Sequence, residues 1–275
     1  MNIITDTGSL LSRDKAKELG LELLPLQVAV KGKSYRDYFE ISAKDFVDMI
    51  KDAIPASSQP AIGDVMEVYE RTKDALHITM AKGLSATYDS AVGVLQSLDR
   101  PDITIFNSKT LAGTQQYLVE LAARIAKHST KEEVIARMEA CLKECQSFLM
   151  PVDFDFLKRG GRITSLAATL GGFLKLKPIV MQVEGSERLE KFGQGRTWNQ
   201  AVDAIIERML QNGVSMRHKI YISHALNLEV AQLAMERIKN RIHEIEIELL
   251  ELSPVMITQG GPGCVAIQYI LKDEN

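Results

Sequence analysis

Short apolar runs alternate with amphipathic segments through the first half of the chain, and this alternation restricts the fold more than any other feature. The apolar runs predict strands at residues 2–5, 21–30, 76–80 and 103–106. The amphipathic segments predict helices at residues 42–53, 63–73 and 85–98. Strands that alternate with helices pair in parallel, because each helix returns the chain to the same end of the sheet. We therefore expect an α/β domain with a mainly parallel sheet.

The chain changes character around residues 148–153. Two long helices, predicted at residues 110–127 and 130–146, precede a stretch at 160–172 that is rich in glycine and small residues. Thr130 and Glu133 form a capping box for the second of these helices. Further strands are predicted at residues 174–184, 219–223, 244–252 and 264–271, with a hairpin-like return at 187–195 and helices at 198–210 and 229–241. We divide the chain into an N-terminal α/β domain, residues 1–150, and a C-terminal α/β domain, residues 151–275.

Charge and apolar pattern argue against several classes of function. A formal net charge of −3, with no basic stripe, argues against nucleic-acid binding. No apolar run approaches the roughly 18 residues that span a bilayer, and the first residues lack the charged and apolar regions of a secretory signal. Three cysteines suit a reducing compartment, and no Cys or His set has complete metal-ligand spacing. We expect a cytoplasmic protein with no metal and no cofactor.

Two serine-bearing loops carry the strongest functional signal. They are Ser57-Ser58-Gln59-Pro60 and Gly83-Leu84-Ser85-Ala86-Thr87-Tyr88. Each precedes a predicted helix, so its hydroxyls lie beside unpaired backbone N–H groups that can hold a carboxylate without a metal. Each serine could contact a ligand or could only cap local structure, and both roles stay open. Ser57 could simply cap the following turn, and Ser85, like Ser42, is well placed as an N-cap.

No catalytic nucleophile–base pair accompanies these serines in the sequence. Asp6 follows the first predicted strand, and we interpret it as a carboxylate that organises its loop by accepting bonds from backbone N–H groups. A serine-dependent small-molecule hydrolase or transferase remains the alternative function, with Lys82 as the one candidate base beside Ser85. The first hypothesis is a binding protein that is not itself an enzyme.

Several motifs, taken in order, resemble the DegV family of bacterial fatty-acid-binding proteins. The match covers nearly the whole chain, and its motifs are Ile4-Thr5-Asp6-Thr7, Ser57-Ser58-Gln59-Pro60, Leu84-Ser85-Ala86-Thr87-Tyr88, Phe156-Leu157-Lys158-Arg159-Gly160-Gly161-Arg162-Ile163, Leu176-Lys177-Pro178-Ile179, Gly195-Arg196, His224 and Gly260-Gly261-Pro262-Gly263. The resemblance implies two α/β domains with a fatty acid buried between them. It also implies a possible partner, since some members carry lipid to a separate fatty acid kinase. A lipid sensor for another partner is a third possibility.

The resemblance assigns ligand contacts residue by residue. It implies that Ser57 and Ser85 contact the acyl carboxylate. Gln259 stands where a histidine usually precedes the terminal glycine loop, and glutamine donates a neutral hydrogen bond but carries no charge. Arg162 could anchor a carboxylate with its fork of donors, form a salt bridge, or meet a partner protein. The resemblance also implies an acyl tunnel lined by Leu166, Leu170, Phe173, Leu174 and Met181, although apolar residues at this spacing fit an ordinary core as well.

Overall fold

The computed structural model describes residues 1–163 and 176–274. Contacts divide the chain into two compact units, Met1–Ala140 with Ser253–Val255, and Cys141–Leu252 with Met256–Asn275. Residues 141–150 thus group with the second unit, whereas the functional division into residues 1–150 and 151–275 stays a prediction.

The first unit is built on a parallel sheet, as the sequence predicts. Its four strands, in spatial order, are β2 (Glu22–Leu24), β1 (Asn2–Asp6), β6 (Ala75–Thr79) and β7 (Ile103–Asn107). All three pairings are parallel. Every residue of β6 is buried, as expected for an inner strand of a sheet covered by helices.

Six helices begin within residues 1–140: α1 (Arg13–Leu19), α2 (Ala43–Met49), α3 (Ile62–Arg71), α4 (Thr87–Leu98), α5 (Ala112–Ile125) and α6 (Lys131–Leu142). Side chains of α3 and α4 form a buried cluster with the sheet. The Ser42 hydroxyl caps α2 by accepting a bond from the Asp45 N–H. The capping box is also confirmed, because Thr130 Oγ1 accepts from the Glu133 N–H and Glu133 Oε2 accepts from the Thr130 N–H.

The predicted strand at residues 21–30 is wrong as a single strand. Pro25 interrupts it, since proline has no N–H to donate to a sheet. The second part becomes β3 (Gln27–Val30), which forms an antiparallel sheet with β4 (Lys33–Arg36) and β5 (Ala56–Ser58) in the order β4-β3-β5. Lys31 and Gly32, both at positive φ, form the two-residue turn between β3 and β4.

The second unit contains a mixed six-stranded sheet. Its strands, in spatial order, are β10 (Leu189–Gly195), β9 (Lys177–Gln182), β8 (Gln146–Met150), β13 (Val265–Leu271), β11 (His218–His224) and β12 (Glu246–Glu251). The β11–β12 pairing is parallel and the other pairings are antiparallel. Its described helices are α7 (Phe154–Gly160), α8 (Trp198–Gln211), α9 (Leu228–Arg241) and α10 (Pro254–Gly260), the last of which begins in residues grouped with the first unit.

Candidate functional site

Asp6 organises the loops at the carboxyl end of the parallel sheet. The side chain is fully buried at the end of β1. Its Oδ1 accepts from the Gly8 N–H at 2.9 Å, and its Oδ2 accepts from the Met80 N–H at 2.9 Å. Gln115 Nε2 of α5 donates to Oδ1 at 3.3 Å. The predicted loop-organising role is confirmed, because one carboxylate joins the ends of β1 and β6 to the first turn of α5.

Asp37 is a second fully buried carboxyl near Asp6, and no sequence motif around it predicts this role. Its Oδ1 accepts from the Val255 N–H at 3.2 Å, a partner 218 residues along the chain. Burial raises the pKa of Asp6 to about 6 and the pKa of Asp37 to about 7. The negative charge of Asp6 contributes to the higher pKa of Asp37.

Ser85 lies in the loop after β6, and its hydroxyl contacts Thr87. The two hydroxyl oxygens are 2.8 Å apart, and Ser85 Oγ also accepts from the Thr87 N–H at 3.2 Å. The predicted N-cap position is wrong by one residue, because α4 begins at Thr87 and its N-cap is Ala86. Thr87 therefore adds a second hydroxyl beside Ser85, which the sequence motif contains but does not mark as a site residue.

Ser57 lies on a strand and not at the start of a helix. It belongs to β5 and pairs with Val28 of β3. Paired residues project to the same face of a sheet, so Ser57 shares a face with the fully buried Val28, whereas the next residue, Ser58, is exposed. Helix α3 begins at Ile62, and its N-cap Ala61 makes no side-chain bond. Ser57 is therefore not the N-cap of α3.

Gln259 and Arg162, the two candidate residues of the second unit, both contact Gly160. Gln259 lies near the end of α10, and Gly160 is the last residue of α7. A Cβ added to Gly160 would lie 1.9 Å from Gln259 Oε1, so the amide lies directly against the Gly160 α-carbon. Arg162 donates to the Gly160 carbonyl at 2.5 Å. Burial, with a smaller contribution from the nearby charge of Arg188, lowers the pKa of the Arg162 guanidinium.

The glycine loop after α10 is held by contacts within the second unit. Gly261 and Gly263 both have φ of 78°, which favours glycine, and a Cβ on Gly261 would lie 2.9 Å from the Phe156 ring. Asn227 Nδ2 donates to the Gly263 carbonyl at 2.7 Å. The loop thus packs against α7 and is hydrogen-bonded to Asn227, the N-cap of α9.

The predicted acyl-tunnel residues fall mostly outside the described part of the chain. These are Leu166, Leu170, Phe173 and Leu174. Met181, on β9, packs against the core of the second unit. Among the described residues, no group of three or more His, Cys, Asp or Glu side chains is placed to hold a metal ion. In the same residues, no helix has the length and apolar character needed to cross a membrane.

These observations define a class of protein. It is an α/β protein in which loops at the edge of a parallel sheet carry hydroxyls and are organised by a buried carboxylate. The chain belongs to the DegV family, whose model, described as "Uncharacterised protein, DegV family", matches residues 1–272. Protein DegV of Bacillus subtilis is 27% identical over 281 residues, which cover 98% of this chain and 99% of the relative. A DegV domain-containing protein of Listeria innocua is also 27% identical, over 98% of each chain.

Solved structures share the same fold. A Thermus thermophilus DegV family protein, described by its fatty acid binding, matches with a TM-score of 0.90 and 24% identity, over 98% of this chain and 99% of that one. Bacillus subtilis DegV, described as a fatty acid binding protein, matches with a TM-score of 0.85 and 25% identity over the same shares. The predicted DegV fold is therefore confirmed.

Proposed function

We propose that this chain binds a long-chain fatty acid and holds its carboxylate with hydroxyls that include those of Ser57 and Ser85. The observation that carries the proposal is the match, over nearly the whole of both chains, to the fatty-acid-binding DegV of Bacillus subtilis. In the proposed complex, Gln259 and Arg162 are further donors to the carboxylate. The three cysteines form no disulfide, which suits a reducing compartment, and we place the protein in the cytoplasm.

The hydroxyl pair at the start of α4 has the chemistry for this role. Among the described residues, the Ser85 and Thr87 hydroxyls bond only to each other and to the Thr87 N–H. Two hydroxyls that share one hydrogen bond retain one O–H hydrogen between them. That hydrogen can be donated to a carboxylate oxygen. A hydroxyl and an amide N–H are not bases, so this arrangement does not favour the alternative of a serine hydrolase or transferase.

The acyl tail and the carboxylate of the ligand contribute different amounts of free energy to binding. About fifteen buried methylenes at about 0.8 kcal/mol each contribute on the order of 10 kcal/mol. Association costs roughly 4–15 kcal/mol, and one hydrogen bond to a charged group contributes about 1.5–3 kcal/mol. The acyl tail therefore supplies most of the affinity, and the hydroxyls fix the orientation of the carboxylate.

Native mass spectrometry of the purified protein tests the binding directly. We expect a mass increment of one fatty acid, which denaturing extraction releases for identification. A protein that is empty and also takes up no added fatty acid would contradict the proposed function. Labelling of the protein by a serine-directed reactive probe would instead favour the hydrolase.

The headgroup assignment is tested by substitution. We expect Ser57→Ala and Ser85→Ala each to weaken fatty-acid binding about tenfold, because each removes a hydrogen bond to a charged group. Ser58→Ala is the matched control, since Ser58 is the exposed neighbour on the same strand. Unchanged affinity in the Ser57→Ala, Ser85→Ala double variant would contradict the assignment.

Presentation of the carboxylate to a separate fatty acid kinase completes the proposal. In that reaction the γ-phosphate of ATP is transferred to a carboxylate oxygen and ADP leaves. The support is the family resemblance of the motifs around Ser57 and Ser85. We expect a purified kinase catalytic subunit with ATP to form hydroxylamine-trappable acyl phosphate only when this protein carries fatty acid. Equal formation from free fatty acid would contradict this part of the proposal.

A further inference from the structure

We propose that Gly160 is a positioning residue, which places the Gln259 amide and the Arg162 guanidinium side by side so that they act as one donor pair toward an oxyanion. This inference rests on the proposed function, because it names the residue that arranges the headgroup donors of the second unit. We call Gly160, Arg162 and Gln259 the Gly160 cluster.

Backbone conformation does not explain a glycine at position 160. The residue closes α7 with a helical backbone, which alanine adopts more readily than glycine. The next residue, Gly161, differs, since its φ of 66° is left-handed and its N–H bonds back to the Leu157 and Lys158 carbonyls. Gly161 is therefore the glycine that the helix end requires, and Gly160 needs another reason.

The space beside the Gly160 α-carbon supplies that reason. A Cβ at this position would lie 1.9 Å from Gln259 Oε1, closer than non-bonded atoms approach, and 3.1 Å from Gln259 Cδ, which is a tight contact. The amide oxygen therefore occupies the place of a side chain, and the Gly160 α-hydrogen faces it in the manner of a Cα–H···O contact. Gln259 Nε2 lies farther from that position, at 3.8 Å. The N–H donors of the amide thus point away from Gly160.

The carbonyl of the same residue holds the second donor. Arg162 donates to the Gly160 oxygen at 2.5 Å, and Arg188 donates to the Gly161 oxygen. Carbonyls at a helix C-terminus attract positive charge, which keeps a half-buried guanidinium in place. Arginine remains protonated despite its lowered pKa, because its usual value is so high.

The Gly160 cluster therefore combines one charged donor with one neutral donor on a shared anchor. A fork of guanidinium N–H groups beside an amide NH₂ matches the two oxygens of a carboxylate. Substituting Gly160 with alanine should leave the helix intact and move the Gln259 amide. The effect on ligand binding should consequently depend on Gln259.

A double-variant cycle tests this dependence. We expect Gly160→Ala to weaken fatty-acid binding about tenfold in the wild-type background and to have little effect in the Gln259→Ala background, where no amide occupies the space. Gly93→Ala is the control, because it makes the same change in α4 with no atom within 4 Å of the new Cβ. Equal losses in both backgrounds, or no loss in either, would overturn the proposal.

A spectroscopic measurement separates this inference from the proposed function. The side-chain NH₂ resonances of Gln259, assigned by their absence in Gln259→Ala, should shift in Gly160→Ala and stay in place in Gly93→Ala. Unmoved resonances would overturn the positioning role even if fatty acid binds. If Gly160→Ala fails to fold, recovery of folding in Gly160→Ala, Gln259→Ala supports the inference, and no recovery overturns it. If the Gln259 resonances shift in Gly160→Ala but the wild type binds no fatty acid, the proposed function would be contradicted and the positioning role of Gly160 would stand.

Discussion

Two buried carboxyls, each acting as a single residue, make the stability of the first unit depend on pH. Asp6 and Asp37 are both raised in pKa, chiefly because burial removes them from water. Their hydrogen-bond donors include neutral groups, such as the N–H groups of Met80 and Val255. A carboxyl buried among neutral groups favours the protonated form.

The sign of the resulting pH dependence is fixed by the direction of the shift. The pKa of Asp37 is about 7 in the folded protein, against the ordinary aspartate value of 3.8. Between these values the folded state binds a proton that the unfolded state has lost, so the contribution of Asp37 to stability falls as pH rises. The contribution is complete below about pH 4 and lost above about pH 7. Asp6 behaves in the same way up to about pH 6.

Asp37→Asn should remove this dependence. We expect the free energy of unfolding of the variant, relative to wild type, to rise by roughly 2–4 kcal/mol between pH 4 and pH 8. Urea denaturation should measure the difference in the free energy of unfolding between variant and wild type at each pH. The difference is needed because buried His77 has the opposite pH dependence. Its pKa is lowered to about 3, so its contribution to stability rises with pH. The control is Asp14→Asn, the same change at an exposed position. A difference that stays constant with pH would contradict the prediction.

Predictability from sequence varied among the residues of the candidate site. The role of Asp6 was predicted correctly. Its carboxylate accepts from the Gly8 and Met80 N–H groups, which follow two strand ends that the parallel sheet brings together. Asp37 carried no local signal, since its partner Val255 lies 218 residues away. Ser57 was placed at a helix start, whereas pairing of β5 with β3 makes it a strand residue. The position of Gln259 against Gly160 depends on two helices that are distant in sequence.

At the scale of elements, α8 and α9 are joined by two ion pairs one helical turn apart. Arg237 forms a bidentate pair with Asp203, with nitrogen–oxygen distances of 2.8 and 2.6 Å. Arg241 bonds Glu207 through one nitrogen at 2.7 Å. The side chains of the first pair are both a little over a third exposed, so solvent screens the interaction.

Arg237→Lys should weaken this junction. Lysine cannot form the two parallel bonds, so we expect a loss of about 0.5–1 kcal/mol in the free energy of unfolding. Arg241→Lys is the matched control, and its loss should be smaller because that pair has one bond. Urea denaturation at low and high salt measures both, and the difference should shrink with salt. Equal losses in the two variants would contradict the bidentate explanation.

Long elements were predicted more closely than short ones. Helix α9 was predicted at residues 229–241 and observed at Leu228–Arg241, since fourteen residues contain a clear helical period. Strands β4 and β5 and helices α1, α7 and α10 were not predicted. They contain three to seven residues, too few to display a period. The antiparallel sheet of the first unit was missed for the same reason.

The whole molecule was predicted through the order of its motifs. Each motif is short, but the sequence from Asp6 to the glycine loop at residues 260–263 indicated the DegV fold, and matching structures over almost the full chain confirm it. The apolar pattern alone indicated an α/β protein and could not separate one α/β family from another, because many families share the same alternation of strands and helices.

The dependence of affinity on acyl length tests the proposed function at the scale of the whole molecule. If the tail supplies most of the affinity, each added methylene should contribute about 0.8 kcal/mol, which lowers Kd about fourfold. We expect this slope across saturated acids from about ten carbons upward, until the pocket is filled and the affinity levels off. Isothermal titration below the micelle concentration measures each Kd. The point of levelling reports the length of the pocket.

Methyl esters of the same acids provide the matched control. An ester keeps the tail and lacks the charge, so it should show the same slope per methylene with a weaker Kd at every length. The offset should correspond to about 1.5–3 kcal/mol, the contribution of a hydrogen bond to a charged group. Ser85→Ala should reduce that offset and leave the slope unchanged, because it removes a contact to the carboxylate only. Affinity that is independent of acyl length would contradict a buried tail, and esters that bind as tightly as acids would contradict a carboxylate site.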